Sequence, residues 1–128
     1  MSWLFLLFSK IAALPLLADY TRLQMNDKAR EDAPGKFLKL RKGITHYRRF
    51  GPKTGPLVVC VHGLTTPSFV FEAIAKAFVK KGYRVLVYDH YGRGYSDRPA
   101  GLQNRAFFVH HLEELLEALG EDGRFDLI

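Results

Sequence analysis

Two hydrophobic patterns follow each other in the middle of the chain. Over residues 36–50, apolar and polar side chains alternate on both sides of a Lys42-Gly43 turn, which is typical of a two-stranded antiparallel hairpin. Residues 57–61 are continuously apolar, a pattern that indicates a strand buried on both faces. The sequence therefore predicts a hairpin beside a buried, parallel part of a sheet.

Two helices are predicted by apolar residues at helical spacing. The first runs from about 67 to 81, with Thr66 as its N-terminal cap and a proline in its first turn. The second begins after Asn104 and ends at Gly120. Its predicted apolar stripe consists of Phe108, Val109, Leu112, Leu115, Leu116 and Leu119.

The order of elements predicts the fold class. Residues 84–88 and 125–128 form two more apolar segments, so strands and helices alternate after residue 56. This alternation implies right-handed crossovers and a parallel sheet with helices on both faces. We expect an α/β fold of three layers, with a mostly parallel sheet and an N-terminal antiparallel hairpin.

The N-terminal segment is apolar over residues 3–18 except for Ser9 and Lys10. No positive charge precedes the apolar stretch and no small-x-small site ends it, so secretion is not expected. A spanning helix needs about 20 apolar residues, and this run is shorter, with Lys10 and Pro15 inside it. A hydrophobic helix over 1–18 that lies in a membrane interface fits better, and docking on the protein's own surface is the alternative.

The rest of the chain divides into a linker and one domain. Residues 19–35 are polar and end in Ala33-Pro34-Gly35, which indicates a linker with room for one helical turn. The folded domain is expected over 36–128. With 128 residues, 48% hydrophobic and 25% charged, the chain has a globular composition that excludes a disordered or collagen-like protein.

The net charge of +6 is concentrated near the N-terminus. Residues 1–54 hold eleven Lys/Arg against four Asp/Glu, whereas 55–128 hold eight against nine. The stretch 36–53 has seven bases and no acid. A solvated hairpin face is the favoured interpretation, an anionic membrane surface is the second, and nucleic acid is not expected as a partner. The expected location is cytoplasmic or peripherally membrane-associated.

Metal and cofactor sites are not expected. The single cysteine, Cys60, cannot form an internal disulfide, and no Cys/His set has zinc-finger spacing. His110-His111 and Glu113-Glu114 offer two ligands without a third, which is typical of a solvated helix face. The Gly92-x-Gly94 pair lacks the third glycine of a dinucleotide-binding loop.

Two motifs and their spacing resemble the N-terminal half of the α/β-hydrolase fold. A buried strand leads into His62-Gly63, and after a helix a second strand leads into the loop at 89–99. The family's loop pattern D-x-x-G-x-G-x-S-D-x-P is matched at Asp89, Gly92, Gly94, Ser96, Asp97 and Pro99. The resemblance covers about residues 36–128 and implies a cofactor-free hydrolase that acts on a small-molecule ester or lipid.

The resemblance also implies a role for the turn after His62-Gly63. In such hydrolases a backbone N–H of this turn is one donor of the oxyanion hole. Leu64 occupies the matching position and Thr65 is the alternative donor. Gly63 is expected to permit a sharp turn. In the later loop, glycines 92 and 94 are expected to form a tight turn in which Ser96 or Asp97 bonds to local backbone N–H groups.

The catalytic nucleophile is not found in this sequence. No G-x-S-x-G elbow exists, and the nearest match, residues 94–98, lacks the last glycine, so Ser96 is not expected to be the nucleophile. The family places its elbow after the strand that corresponds to 125–128. The resemblance therefore implies that the nucleophile, the acid and the histidine lie beyond Ile128, and that this chain by itself is inactive.

Several functions stay open at this point. Relatives resembling epoxide hydrolases and dehalogenases often carry proline where this chain has Thr65, so a serine esterase or lipase-like enzyme is favoured over their chemistry. Phe69 and Phe71 are candidates for either pocket walls or core positions. The alternative of a different class is a non-catalytic α/β module or basic binding domain.

Overall fold

A computed structural model describes residues 25–128 of the chain. The predicted N-terminal helix over 1–18 and the first part of the predicted linker lie outside the described residues. The elements in chain order are α1 (Asp27–Arg30), β1 (Lys36–Leu40), β2 (Gly43–Phe50), β3 (Leu57–Cys60), a 3-10 helix (Ser68–Phe71), α2 (Glu72–Lys80), β4 (Arg84–Tyr88), α3 (Arg105–Ala118) and β5 (Phe125–Leu127).

The strands form one sheet in the order β1-β2-β4-β3-β5. β2 pairs antiparallel with β1 and with β4, whereas β3 lies parallel between β4 and β5. The predicted hairpin and the predicted parallel strands are both confirmed. Two of the four pairings are antiparallel, because β2 pairs with β4 as well as with β1.

Helices cover both faces of the sheet. Leu115 and Leu116 of α3 pack in a cluster with Val59 on one face, and Ala75 of α2 packs in a cluster with Val58 on the other. Successive side chains of a strand point to opposite faces, so the continuously apolar β3 contributes to both clusters. The predicted α/β fold with three layers is confirmed.

The first helical segment is capped differently from the prediction. Thr66 does not cap it, because the cap position falls on Pro67 and the Thr66 hydroxyl contacts only that of Thr65, at 3.4 Å. The N–H of Ser68, the first residue of the 3-10 helix, donates instead to the carboxylate of Asp89 at 2.8 Å. The cap of this segment thus comes from a residue 21 positions later in the chain.

The second helix begins as predicted, and its buried face contains most of the predicted stripe together with Phe107 and His111. The side chain of Asn104 accepts a hydrogen bond from the Phe107 N–H at 2.9 Å and caps α3. Phe107 and His111 are buried, whereas Val109 of the predicted stripe is 46% exposed. His111, which was expected on a solvated face, is 2% exposed and lies 2.8 Å from the Thr45 hydroxyl of β2. Its neighbours His110 and Glu113 are exposed, as expected.

The basic stretch of the hairpin is partly paired with the helices. Three of its seven bases form ion pairs, namely Arg41–Glu114, Arg48–Glu72 and Arg49–Glu121. The Lys42 ammonium lies 4.9 Å above the Phe107 ring. These contacts join the hairpin to α2, α3 and the segment before β5. Within residues 25–128, no helix has the length and apolar character that crossing a membrane requires.

Candidate active site

The carboxylate of Asp89 lies at the centre of a buried hydrogen-bond network that follows β4. Its Oδ1 accepts from the Ser68 N–H at 2.8 Å, and its Oδ2 accepts from His46 Nδ1 at 2.8 Å and from the Tyr95 N–H at 3.0 Å. Burial alone would raise the pKa of Asp89, but these hydrogen bonds outweigh burial and lower it to about 2. Asp89 is therefore ionised at neutral pH.

The loop after β4 is shaped around this carboxylate. Gly94 has a φ of +50°, and a Cβ added there would lie 2.1 Å from Asp89 Oδ2. Gly92 also has a positive φ, of +84°, and its N–H donates to the Asp97 carbonyl at 2.8 Å. The structure therefore leaves no room for a larger residue at position 94.

Ser96 and Asp97 bond to β2 rather than only within their own loop. The Ser96 hydroxyl is fully buried, donates to the Asp89 carbonyl at 2.7 Å and accepts from the His46 N–H at 2.9 Å. The Asp97 carboxylate accepts from the Ile44 N–H at 2.7 Å. Both hydrogen-bonding directions of the Ser96 hydroxyl are thus used within the protein.

Two side chains that sequence reasoning did not assign to the network complete it. Nδ1 of His46 lies 2.8 Å from the Asp89 carboxylate, and its Nε2 faces the Pro34 carbonyl. Arg30 of α1 is buried and donates to the Asp97 carboxylate and, at 3.0 Å, to the Tyr95 carbonyl. Arg30, which belongs to the predicted linker, thereby contacts the loop that follows β4.

The turn after β3 is oriented by His62. Nε2 of His62 accepts from the His90 N–H at 2.9 Å, so Nδ1 carries the proton and donates to the Gly63 carbonyl at 2.6 Å. Since a trans peptide directs its N–H opposite to its carbonyl, the Leu64 N–H points away from that Nδ1. Within residues 25–128, neither Leu64 nor Thr65 has a hydrogen-bond acceptor for its N–H.

Gly63 does not behave as its expected role suggests. Its φ lies outside the left-handed region, and an added Cβ would meet no atom within 4 Å in the described part of the chain. The contacts in residues 25–128 therefore do not require glycine at this position.

An apolar groove of about 660 Å³ opens beside the turn, between α3 and the ends of β3, β4 and β5. Tyr88 and His90 line it, and the Tyr88 hydroxyl and His90 Nδ1 are buried without a hydrogen-bond partner among the described residues. Apolar lining with few polar groups is typical of small-molecule sites. Further lining residues are His62, Gly63, Leu64, Phe108, Leu112 and Leu127.

The two candidate wall residues have different environments. Phe69 is 63% exposed and lines a smaller cavity of about 270 Å³ together with His46 and Tyr95. Phe71 packs against the core cluster that contains Val58. Phe71 is thus a core residue, and Phe69 faces a cavity on the Asp89 side of the sheet rather than the groove.

Three buried histidines, two of which line the groove while the third, His111, lies behind His90, are neutral. Burial lowers the pKa of His62, and burial with the nearby His62 lowers that of His90 to about 4. Burial with the nearby His90 lowers the pKa of His111 to about 3, and this ring stacks on Tyr91 at 3.7 Å. The contacts of His62 and His111 with backbone and hydroxyl groups suit neutral rings, whereas His90 uses only Nε2.

Other candidate nucleophiles and metal ligands are not assembled here. Burial raises the pKa of the Cys60 thiol, which keeps it protonated inside the core. Within residues 25–128, no three His, Cys, Asp or Glu side chains come together in an arrangement that could hold a metal ion.

Asp89→Asn is expected to lower the free energy of unfolding by about 1.5 to 3 kcal/mol, because the buried donors of His46, Ser68 and Tyr95 lose their charged acceptor. Urea denaturation followed by tryptophan or tyrosine fluorescence measures this loss. Glu72→Gln, which removes an exposed partner of Arg48, is the matched control and should cost far less. Equal effects of the two variants would contradict the central role of Asp89.

Acidification from pH 7 to 5 is expected to destabilise the fold. His62, His90 and His111 have pKa values below 6.5 in the folded protein, so the unfolded chain binds more protons and stability falls as the pH drops. Each histidine contributes at most about 1.4 kcal/mol per pH unit in this range. Asp89 adds a loss only at lower pH, between 3.8 and about 2.

Urea denaturation at pH 7, 6 and 5 gives the slope of stability against pH. His111→Gln should reduce this slope, whereas His110→Gln, at an exposed position, should leave it unchanged. The same slope in all three proteins would show that His111 titrates normally in the folded state.

Comparison with known proteins places this arrangement in a family. The profile of the alpha/beta hydrolase fold matches residues 56–125. A haloalkane dehalogenase of Mycobacterium marinum is 32% identical over 103 residues, which are 80% of this chain and 31% of that protein. Epoxide hydrolase 1 of Caenorhabditis elegans is 28% identical over 89 residues, which are 68% of this chain and 22% of that protein.

Solved structures agree with the sequence relatives. The crystal structure of a hydrolase from Pseudomonas aeruginosa PA01 superimposes with a TM-score of 0.67 and 29% identity, over 75% of this chain and 36% of that one. The matched part of the chain corresponds to 31% of the dehalogenase and 22% of the epoxide hydrolase, so the chain spans about a third or less of the length of these relatives. The family profile covers more than half of the chain, and the chain belongs to the alpha/beta hydrolase family.

Proposed function

We propose that the turn from His62 to Thr65 supplies backbone donors of an oxyanion hole in a hydrolase of carboxylic esters. The observation that carries the proposal is the pair of N–H groups of Leu64 and Thr65, which lack acceptors within residues 25–128. Ester hydrolysis develops negative charge on the carbonyl oxygen of the substrate. Preorganised N–H groups stabilise that charge and lower the barrier.

The groove beside this turn is the proposed substrate site. It lies at the carboxyl ends of the parallel strands β3 and β4, where open α/β sheets bind their ligands. Its apolar lining suits the acyl chain of an ester, including a lipid ester. The unpartnered Tyr88 hydroxyl and His90 Nδ1 offer one donor and one acceptor for the polar part of a ligand.

The proposal assigns no nucleophile, acid or general base to residues 1–128. The sequence contains no G-x-S-x-G elbow, Ser96 is enclosed, and Cys60 is buried and protonated. A longer protein that contains this chain would supply all three groups, with the nucleophile after β5. The lengths of the relatives support this part of the proposal.

Hydrolysis of an epoxide or a haloalkane is the second candidate, because two of the relatives carry those names. Both reactions pass through a covalent ester when an aspartate is the nucleophile, and the same turn could serve the hydrolysis of that ester. Thr65, where such relatives often have proline, favours simple esters. Assays of the full-length protein with p-nitrophenyl esters, styrene oxide and 1-bromobutane separate the candidates. Inactivity on all three favours a non-catalytic module.

Leu64→Pro in the full-length enzyme is expected to lower kcat for ester hydrolysis by about 10² to 10³, because it removes one oxyanion donor. Leu64→Ala keeps the N–H, and the Leu64 side chain is 61% exposed, so this control should cost far less. Steady-state kinetics and the melting temperatures of both variants provide the comparison. Equal losses at unchanged stability would mean that the turn acts through its side chain.

Peripheral contact with an anionic membrane is a separate proposal. It is supported by the apolar composition of residues 3–18 and by Lys36, Lys39 and Lys53, for which residues 25–128 provide no ion pair. Apolar insertion and electrostatic attraction to anionic headgroups act together in interfacial binding. The ion pairs of Arg41, Arg48 and Arg49 reduce the charge available for it.

Deletion of residues 1–18 is expected to release the protein from phosphatidylserine vesicles, because the apolar contribution to binding is lost. Co-sedimentation at 50 and 500 mM NaCl measures binding of the intact and the truncated protein, and phosphatidylcholine vesicles are the control for charge. Binding that survives the deletion and does not respond to salt would contradict the proposal.

A further inference from the structure

Arg93 joins the turn after β3 to the loop after β4. Its Nε donates to the Leu64 carbonyl at 2.9 Å, and its Nη1 donates to the Tyr91 carbonyl at 3.2 Å and to Gln103 Oε1 at 2.6 Å. The guanidinium also lies over the ring of Phe108 in α3, 5.8 Å from its centroid. All three hydrogen bonds go to neutral oxygens. Arg93 therefore holds the turn and the loop together through hydrogen bonds and forms no ion pair in these contacts.

The contact with Leu64 fixes one particular peptide plane. Because the carbonyl of a trans peptide points opposite to its N–H, a held Leu64 carbonyl also sets the direction of the Thr65 N–H. His62 does the same for the preceding peptide through the Gly63 carbonyl. Two side chains thus orient two consecutive peptides.

No backbone pairing could replace these side chains. Residues 64–66 form a bend and take part in no backbone-to-backbone hydrogen bond within the described part of the chain. Without the Arg93 contact, rotation of the Leu64–Thr65 peptide would bring a carbonyl oxygen to the place of an N–H. An acceptor in that place repels a developing oxyanion instead of stabilising it.

The position of Arg93 is set from the opposite side of the sheet. The Asp89 carboxylate accepts the Tyr95 N–H and packs against Gly94, and the Arg93 N–H donates to the His90 carbonyl at 3.0 Å. The loop is therefore held on both sides of Arg93. A planar guanidinium can serve three acceptors at once in a fixed geometry, which a lysine ammonium on a flexible stem does not reproduce.

We propose that Arg93 is a positioning residue of the oxyanion hole: it holds the Leu64 carbonyl so that the Thr65 N–H stays available to the substrate beside the Leu64 N–H, whose peptide His62 orients. This inference rests on the proposed function of the turn. It adds a side chain outside the turn on which the geometry of the donors depends.

The test compares Arg93→Met, Arg93→Lys and the control Arg98→Met, an exposed arginine of the same loop, in the full-length protein. ¹⁵N relaxation dispersion reports peptide rotation at Leu64 and Thr65, and steady-state kinetics reports ester hydrolysis. Arg93→Met is expected to broaden both amides and to lower kcat by about 10-fold to 100-fold, with KM changed by less than about threefold. Arg98→Met should change neither quantity.

Each other outcome overturns a definite part of the inference. Unbroadened Leu64 and Thr65 amides in Arg93→Met would overturn the positioning role, whatever the activity. Full recovery in Arg93→Lys would show that charge alone suffices, which also overturns it. Broadened amides with unchanged kcat would leave Arg93 as the brace of the turn and overturn the oxyanion role.

A second variant tests the same contact in case Arg93→Met does not fold. Gln103→Ala removes one acceptor of the guanidinium at an exposed position and leaves Arg93 and the turn intact. Intermediate broadening at Leu64 and Thr65 is expected. Resonances as sharp as those of the native protein would show that the brace does not control the turn.

Discussion

A buried, ionised carboxylate must find hydrogen-bond donors, and the structure around Asp89 is arranged to provide them. The donors come from three separate segments, at His46, Ser68 and Tyr95. Their combined effect outweighs burial and keeps the group charged. The start of the first helical segment, the path of the loop after β4 and the position of β2 are all tied to this one group. Loss of any donor would leave part of a buried charge unsatisfied.

The same network has consequences on the other face of the sheet. On the Asp89 side, the buried carboxylate is ionised and hydrogen-bonded, whereas His62 and His90 beside the groove are neutral. The loop that carries Gly94 and Arg93 connects the two sides. The loop that Asp89 holds in place on one side of the sheet contacts, through Arg93, the turn on the other side. In that turn, the N–H groups of Leu64 and Thr65 have no acceptor in the described structure.

Local patterns were sufficient for much of the fold. The uninterrupted apolar run of β3 and the alternation in the hairpin predict burial directly, because side-chain direction in a strand depends only on sequence position. The loop motif likewise located Asp89 and Gly94. The buried face of α3 is wider than predicted, since the polar His111 occupies a buried position next to Thr45. Composition alone cannot show that a histidine has found such a partner.

The unpredicted parts of the site are those that depend on distant pairs. His46 lies 43 positions from Asp89, and Arg30 lies 67 positions from Asp97. No periodicity links such residues, so Arg30 remained part of an apparent linker and His46 a residue of an ordinary hairpin. Thr66 was a reasonable cap by local rules, but a carboxylate from the next strand occupies that role.

These long separations also determine when the fold can form. Contacts between residues far apart in sequence form late, because a long loop must close before they stabilise anything. During synthesis, the hairpin leaves the ribosome long before the loop that anchors it. Residues 30–50 therefore emerge before the loop that contacts Arg30 and His46. The apolar β3 stays uncovered for longer still, until α3 and β5 have been synthesised, and in that interval the nascent chain is open to association.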